Sequence, residues 1–111
     1  MATNVFKNLA QTQLSTTSVT TIYTVPALTA TLVDFVWVLN TSTTLSCTVT
    51  MYRNGTASSN QITPPIPLGP GESFKMSSFK MATNQTISAT ASVANIINVN
   101  MDGDEVVAAN I

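Results

Sequence analysis

The chain has 111 residues, enough for one domain with a modest core and a large share of exposed surface. Only 8% of the residues are charged, against roughly 25% in an average soluble domain, and the net charge is −1. The basic residues Lys7, Arg53, Lys75 and Lys80 are scattered, so no phosphate-binding surface is expected, and the absence of histidine excludes Ser-His-Asp and Cys-His catalysis and histidine-ligated metals.

Residues 1–17 read as an N-terminal arm or edge strand, and residues 18–111 as the folded domain. Val19 to Val25 is the first clear strand, with Val19, Thr21, Tyr23 and Val25 on one face and Pro26 ending it. Thr31 to Asn40 is the strongest. Val33, Phe35, Trp37 and Leu39 alternate with Leu32, Asp34, Val36 and Val38, so both faces are largely apolar and the strand is expected to be central. Phe35 and Trp37 are most simply core residues. Leu45 to Arg53 places Leu45, Cys47, Val49 and Met51 on one face and polar residues on most of the other, the pattern of a half-buried antiparallel strand. Asn54-Gly55 has the chemistry of a tight hairpin turn into a short strand, Thr56 to Ile62.

Pro64-Pro65-Ile66-Pro67 is donor-poor and suits a sheet edge or a loop. Gly69-Pro70-Gly71 is a turn before a strand at Glu72 to Met76, and a short extended piece follows at Lys80 to Thr83. Gln85 to Val93 alternates Ile87, Ala89, Ala91 and Val93 with Thr and Ser. Ile96 to Met101 is the penultimate strand, and Asp102-Gly103 is a turn before Glu105 to Ala109. No helical period is sustained. Short strands punctuated by turns predict an all-β fold, a single-domain antiparallel β-sandwich of jelly-roll or immunoglobulin-like kind.

Cys47 is the sole cysteine, so no intrachain disulfide can form, and among apolar strand neighbours it reads as a small hydrophobe. Met1 leads into no basic and apolar leader, and the apolar stretch Leu32 to Leu39 is too short to span a bilayer, so a protein made in a reducing cytoplasm, with no membrane partner, is expected. Asp102, Asp104 and Glu105 form an acidic cluster whose spacing does not match a calcium loop. A glycosidase pair drawn from Asp34, Glu72 and this cluster has nothing to support it, so no enzymatic activity, no cofactor and no metal are expected. Gly69-Pro70-Gly71 lacks the lysine of a phosphate loop, and the sequons at Asn40, Asn54 and Asn84 are coincidental in a chain this rich in Asn and Thr.

Low charge and a two-faced apolar strand point to burial by protein neighbours. Val5, Phe6, Leu9, Tyr23 and Tyr52 are the candidate interface residues. Thr21-Ile-Tyr-Thr-Val-Pro26, the apolar strand ending in Asn40-Thr41, the Leu45 to Arg53 strand, Leu68-Gly-Pro-Gly-Glu72 and Ile87 to Ser92 together form a strand-and-turn layout. That layout resembles small virion proteins of tailed bacteriophages. The resemblance covers residues 19 to about 101 and implies a β-sandwich on the phage particle, as a capsid decoration (cement) protein stabilising the head. It implies as partners other copies of the chain, a trimer being favoured, and major capsid or tail proteins. The alternative it leaves open is a tail or head-fibre component with a carbohydrate- or receptor-binding sandwich. That reading requires Tyr23, Tyr52 and Trp37 to be exposed near acidic or amide residues.

Overall fold

The computed structural model describes residues 2–108. Its strands are β1 (Ala2–Gln13), β2 (Thr20–Thr24), β3 (Thr29–Asn40), β4 (Cys47–Arg53), β5 (Ile66–Leu68), β6 (Ser73–Met76), β7 (Phe79–Met81), β8 (Thr86–Ala91) and β9 (Ile97–Ala108). They form two antiparallel sheets, one ordered β1-β9-β3-β6 with β7 also on β3, the other β2-β8-β4-β5. β6 and β7 pair with opposite halves of β3, so they act as one strand interrupted at Ser77 and Ser78. Counted so, the described residues form eight strands, and all successive strands except β4 and β5 change sheet. This is the winding of a jelly roll. The first sheet is much the longer, because twelve residues of extended chain span about 40 Å. It overhangs the second sheet, whose strands have three to seven residues, and gives the molecule its 51 × 26 × 21 Å extents.

Two bulges govern the long sheet. β1 carries one extra residue at Leu9, opposite Met101 and Asp102 of β9, and β3 one at Asp34, opposite Asp102 and Gly103. A bulge turns two successive side chains to the same side and reverses the alternation beyond it. The buried face of β3 is therefore Thr29, Thr31 and Val33 before Asp34, and Val36, Val38 and Asn40 after it. This corrects the expected face that grouped Phe35, Trp37 and Leu39 with Val33. Trp37 is 47% exposed and Phe35 half-buried, so neither belongs to the buried core. Asp102-Gly103 is likewise no turn but the middle of β9. Glycine is required there by packing, since a Cβ would collide with the Leu32 carbonyl and lie 3.1 Å from the Val33 Cα and 2.9 Å from the Leu9 side chain. Ala109, the last residue of the strand expected after that turn, lies outside the described residues.

The core lies between the sheets. Val33, Val36, Val38, Val99 and Met101 from the long sheet meet Cys47, Val49, Met51, Ile87, Ala89 and Ala91 from the short one. Leu45 instead lies before β4 and is half exposed, because β4 begins only at Cys47. Beyond β4, Asn54 takes a left-handed conformation, but Thr56 to Ile62 forms no strand. It contains a short 3-10 turn at Ser58–Asn60 and a single bridge from Gln61 to Tyr52. The Asn60 side chain fills the space beside Gly55 and donates to the Asn54 carbonyl at 3.2 Å, which favours a compact loop over a tight hairpin. β5 then pairs along the edge of β4, where Pro67 is tolerated.

Candidate assembly edge and outer sheet face

Bulges and register arrange the solvent-facing side of the long sheet in cross-strand rows, with Asn4, Val106 and Ala30 at the overhanging end followed by four more. The first of these four is Phe6, Asp104, Leu32 and Lys80, and the second Asn8, Asp102 and Phe35. The third is Gln11, Asn100, Trp37 and Lys75, and the fourth Gln13, Asn98, Leu39 and Ser73. Amides thus occupy most of β1 and half of β9, and β3 presents an apolar stripe.

The first row ends at the free edge of β1. Phe6 is 80% exposed, and Leu32 is also exposed. Between them Asp104 is buried, and its Oδ1 has no hydrogen-bond partner among the described residues. A buried carboxylate oxygen is stabilised by a donor, and none of the described residues supplies one here. Val5 lies on the inner side near the overhanging end and is also exposed. The second row is closed by polar contacts. The Asn8 amide fills the space beside the β1 bulge, donating to Asn100 Oδ1 at 2.6 Å, Asp102 Oδ1 at 2.8 Å and the Met101 carbonyl at 3.0 Å. The third and fourth rows frame a shallow groove of about 390 Å³, with Trp37 and Leu39 on one side and the Gln11, Gln13, Asn98 and Asn100 amides on the other.

On the inner side, Glu105 is buried where β1, β2, β3 and β9 meet. Lys7 Nζ donates to its Oε1 at 3.1 Å, and the Tyr23 hydroxyl, reaching across from the short sheet, donates to its Oε2. The Thr31 hydroxyl donates to the Tyr23 oxygen at 2.9 Å. Burial of the phenol, followed by its bond to Glu105, pushes the Tyr23 pKa up to about 12, with the charge on Glu105 adding to the rise and Thr31 opposing it. The network ties the two sheets together.

Of the five candidate interface residues, the structure brings Val5 and Phe6 to one exposed end. Leu9 packs partly against the core at the β1 bulge, and Tyr52 is half-buried on β4. Tyr23 is buried between the sheets and belongs to the Glu105 network, so it is not part of an exposed surface. The exposed groove aromatic is Trp37, whose position follows from the bulge at Asp34. A lone aspartate in an otherwise apolar strand was the available signal for that bulge.

Asp34, Asp102 and Asp104 lie near one another around the β3 bulge, but Glu72 and Glu105 lie apart from them. Asp102 and Asp104 face outward and Glu105 inward. The Glu72 carbonyl accepts the Asn40 amide, six residues along β3 from Asp34, which separates the two acids by about 20 Å. That is well beyond the roughly 5–10 Å of glycosidase carboxylate pairs. Among the described residues no group of three His, Cys, Asp or Glu side chains is placed to hold a metal ion, and no helix is long and apolar enough to cross a membrane.

No protein-family model matches the chain, and no curated protein matches it. A chain in the structure of infectious bursal disease virus Gx strain is similar at a TM-score of 0.45 and 12% identity, over 96% of this chain and 33% of that one. This chain therefore spans about a third of that chain's length. At this level the likeness identifies neither a family nor a function.

Proposed function

We propose that this chain is a non-enzymatic structural protein of a bacteriophage particle, acting as a capsid decoration (cement) protein through protein–protein contacts. The observation that carries this reading is the β1 edge. Among the described residues it is a twelve-residue strand with one side unpaired, with Phe6 almost wholly exposed beside it and Asp104 Oδ1 without a donor in the same row. A long exposed edge recruits another chain unless charge or proline guards it. β1 contains no proline, its one charged residue, Lys7, is engaged by Glu105, and the bulge at Leu9 leaves the stretch from Ala2 to Asn8 regular. A neighbouring chain that covered Phe6 and supplied a donor to Asp104 would complete this end. The phage assignment is supported by the strand-and-turn layout from Thr21 to Ser92, and the proposed partners are further copies, as a trimer, and the major capsid protein.

Purified particles test the assignment. Hundreds of copies of this chain per particle are expected, a handful would place it in a tail or fibre, and absence would refute the reading. Phe6→Ser, which adds no charge opposite Asp104, is expected to leave the circular dichroism spectrum and melting temperature of the isolated chain unchanged. Burial of a phenylalanine is worth about 1.5–3 kcal/mol, so the variant should weaken particle binding or self-association by roughly tenfold or more. Wild-type affinity in Phe6→Ser would remove the β1 end as the contact.

A further inference from the structure

We infer that the groove formed by the third and fourth rows is a binding site for an uncharged oligosaccharide, with Trp37 as the stacking platform and the Asn98 and Asn100 amides as hydrogen-bond donors. This goes beyond the assembly reading and requires only that these two rows stay uncovered. Phe6 lies two rows away, about 14 Å along the strands, so the edge and the groove can be occupied together.

Three observations converge on that ligand. The groove is open and shallow, and its volume of about 390 Å³ falls at the small end of the range for small-molecule sites, about 300–1,000 Å³. None of its lining residues is charged. Lys75, beside Trp37 in the sheet, is held over the Phe35 ring with its Nζ 4.6 Å from the centroid. Nothing in the groove therefore compensates the charge of a phosphate, a sialic acid or an ammonium group. Trp37 is about half open to solvent and lines the groove together with Leu39, so the two form an apolar surface that a ligand can cover. The negative face of an indole attracts the weakly positive C–H face of a sugar ring, as it attracts the edges of other rings.

The amides supply the second half of the recognition. Gln13 Nε2 donates to Asn98 Oδ1 at 3.1 Å, and Asn8 Nδ2 donates to Asn100 Oδ1 at 2.6 Å. Each oxygen thereby accepts one bond that fixes its side chain, and the two side-chain NH2 groups are donors in neighbouring rows. Gln11 adds a group that can both donate and accept, as a sugar hydroxyl does. Rows about 7 Å apart on strands about 4.8 Å apart match the spread of hydroxyls around one pyranose ring. Because Gln13 and Asn8 already fix the asparagines, little ordering cost remains for binding.

The test uses the whole chain and its single tryptophan as the reporter. Cellohexaose, maltohexaose, laminarihexaose and chitotriose are titrated to about 10 mM, with sialyllactose as the charged control, following Trp37 fluorescence and side-chain amide NMR signals. At least one neutral sugar is expected to give saturable shifts confined to Trp37 and the Gln11, Gln13, Asn98 and Asn100 amides. By amide NMR, Trp37→Ala should weaken binding by tenfold or more, and Asn100→Ala by about tenfold. Trp37→Phe should retain part of the affinity. The inference is overturned by silence across the neutral panel, by shifts that persist in Trp37→Ala, or by equal binding of sialyllactose. It is also overturned if Trp37→Ala changes the oligomeric state, which would make the groove a contact between copies. Failure here leaves the particle assignment standing, because copy number in particles is measured independently.

Discussion

Asn40 is the position where one side chain holds the most backbone in place. It is fully buried at the end of β3, and its Nδ2 donates to the carbonyls of Leu45 at 2.8 Å, Leu68 at 3.0 Å and Gly69 at 3.2 Å. Its Oδ1 accepts the Ser42 amide at 2.9 Å. One amide thus joins the β3–β4 loop to the turn after β5. Asn40→Ala leaves the buried Leu68 carbonyl without that donor, a cost of about 1–3 kcal/mol, and removes bonds to partly wetted groups worth roughly 0.5–1 kcal/mol each. The Nδ2 has two hydrogens for three carbonyls, so Leu68 and Gly69 share one, and the expected loss is about 2–5 kcal/mol, a large share of the roughly 5–15 kcal/mol that holds a domain of this size. Far-UV circular dichroism in urea should show a lower midpoint with an unchanged slope, and the melting temperature should fall by about 10–20 °C. Asn40→Asp sharpens the test. It keeps the shape but turns a carboxylate toward three carbonyl oxygens, which raises its folded pKa above the unfolded value. Its stability deficit should therefore be larger at pH 7 than near pH 4, where the protonated acid can donate one bond. A loss below about 0.5 kcal/mol in Asn40→Ala, or an Asp variant as stable as wild type at pH 7, would refute this account.

The Tyr23 phenol predicts an alkaline limit. Its folded pKa of about 12 lies above the ordinary 10, so its contribution is fully present below pH 10 and is lost as pH rises from 10 to 12. Two units correspond to at most about 2.7 kcal/mol. Half-exposed Lys7 brings water to one end of the network, so about 1–2 kcal/mol is expected, read from urea midpoints between pH 9 and 12. Tyr23→Phe should be destabilised at neutral pH and lack that segment of the pH dependence. Gly103→Ala should cost about 3 kcal/mol or more in urea denaturation, because backbone rather than a movable side chain blocks the added methyl. Gly71→Ala, with open space around it but φ at 74°, should lose only about 1 kcal/mol.

The architecture was legible wherever one residue type served one face. Cys47, Val49 and Met51 on β4 and Ile87, Ala89 and Ala91 on β8 alternate without interruption, and all six are buried as their spacing predicts. The errors fall where the alternation breaks. β3 is apolar on both faces, and a strict period of two then assigns Val33 and Trp37 to one side. The bulge at Asp34 puts them on opposite sides. Asp102-Gly103 has turn chemistry, but the glycine is selected by the close approach of β3, a long-range fact that no local dipeptide carries. Asn54-Gly55 misleads in the opposite sense: the chain does turn there, into a loop packed around Asn60 rather than a paired strand.

The same bulges explain why the surface was harder to read than the core. Without them, β3 would bury Phe35, Trp37 and Leu39 and expose Val36 and Val38, and no groove would exist. With them, the inner face keeps the compact valines that let the sheets approach, and the bulky aromatics move outward. An exposed tryptophan beside a row of amides is unfavourable for a domain that only needs to fold, since Val36 and Val38 already complete the core without it. The overhanging end with Phe6 and Asp104 is unfavourable in the same way. Stability gives no reason for either feature; the proposed protein neighbour at the β1 end and the proposed neutral sugar in the Trp37 groove would each supply one.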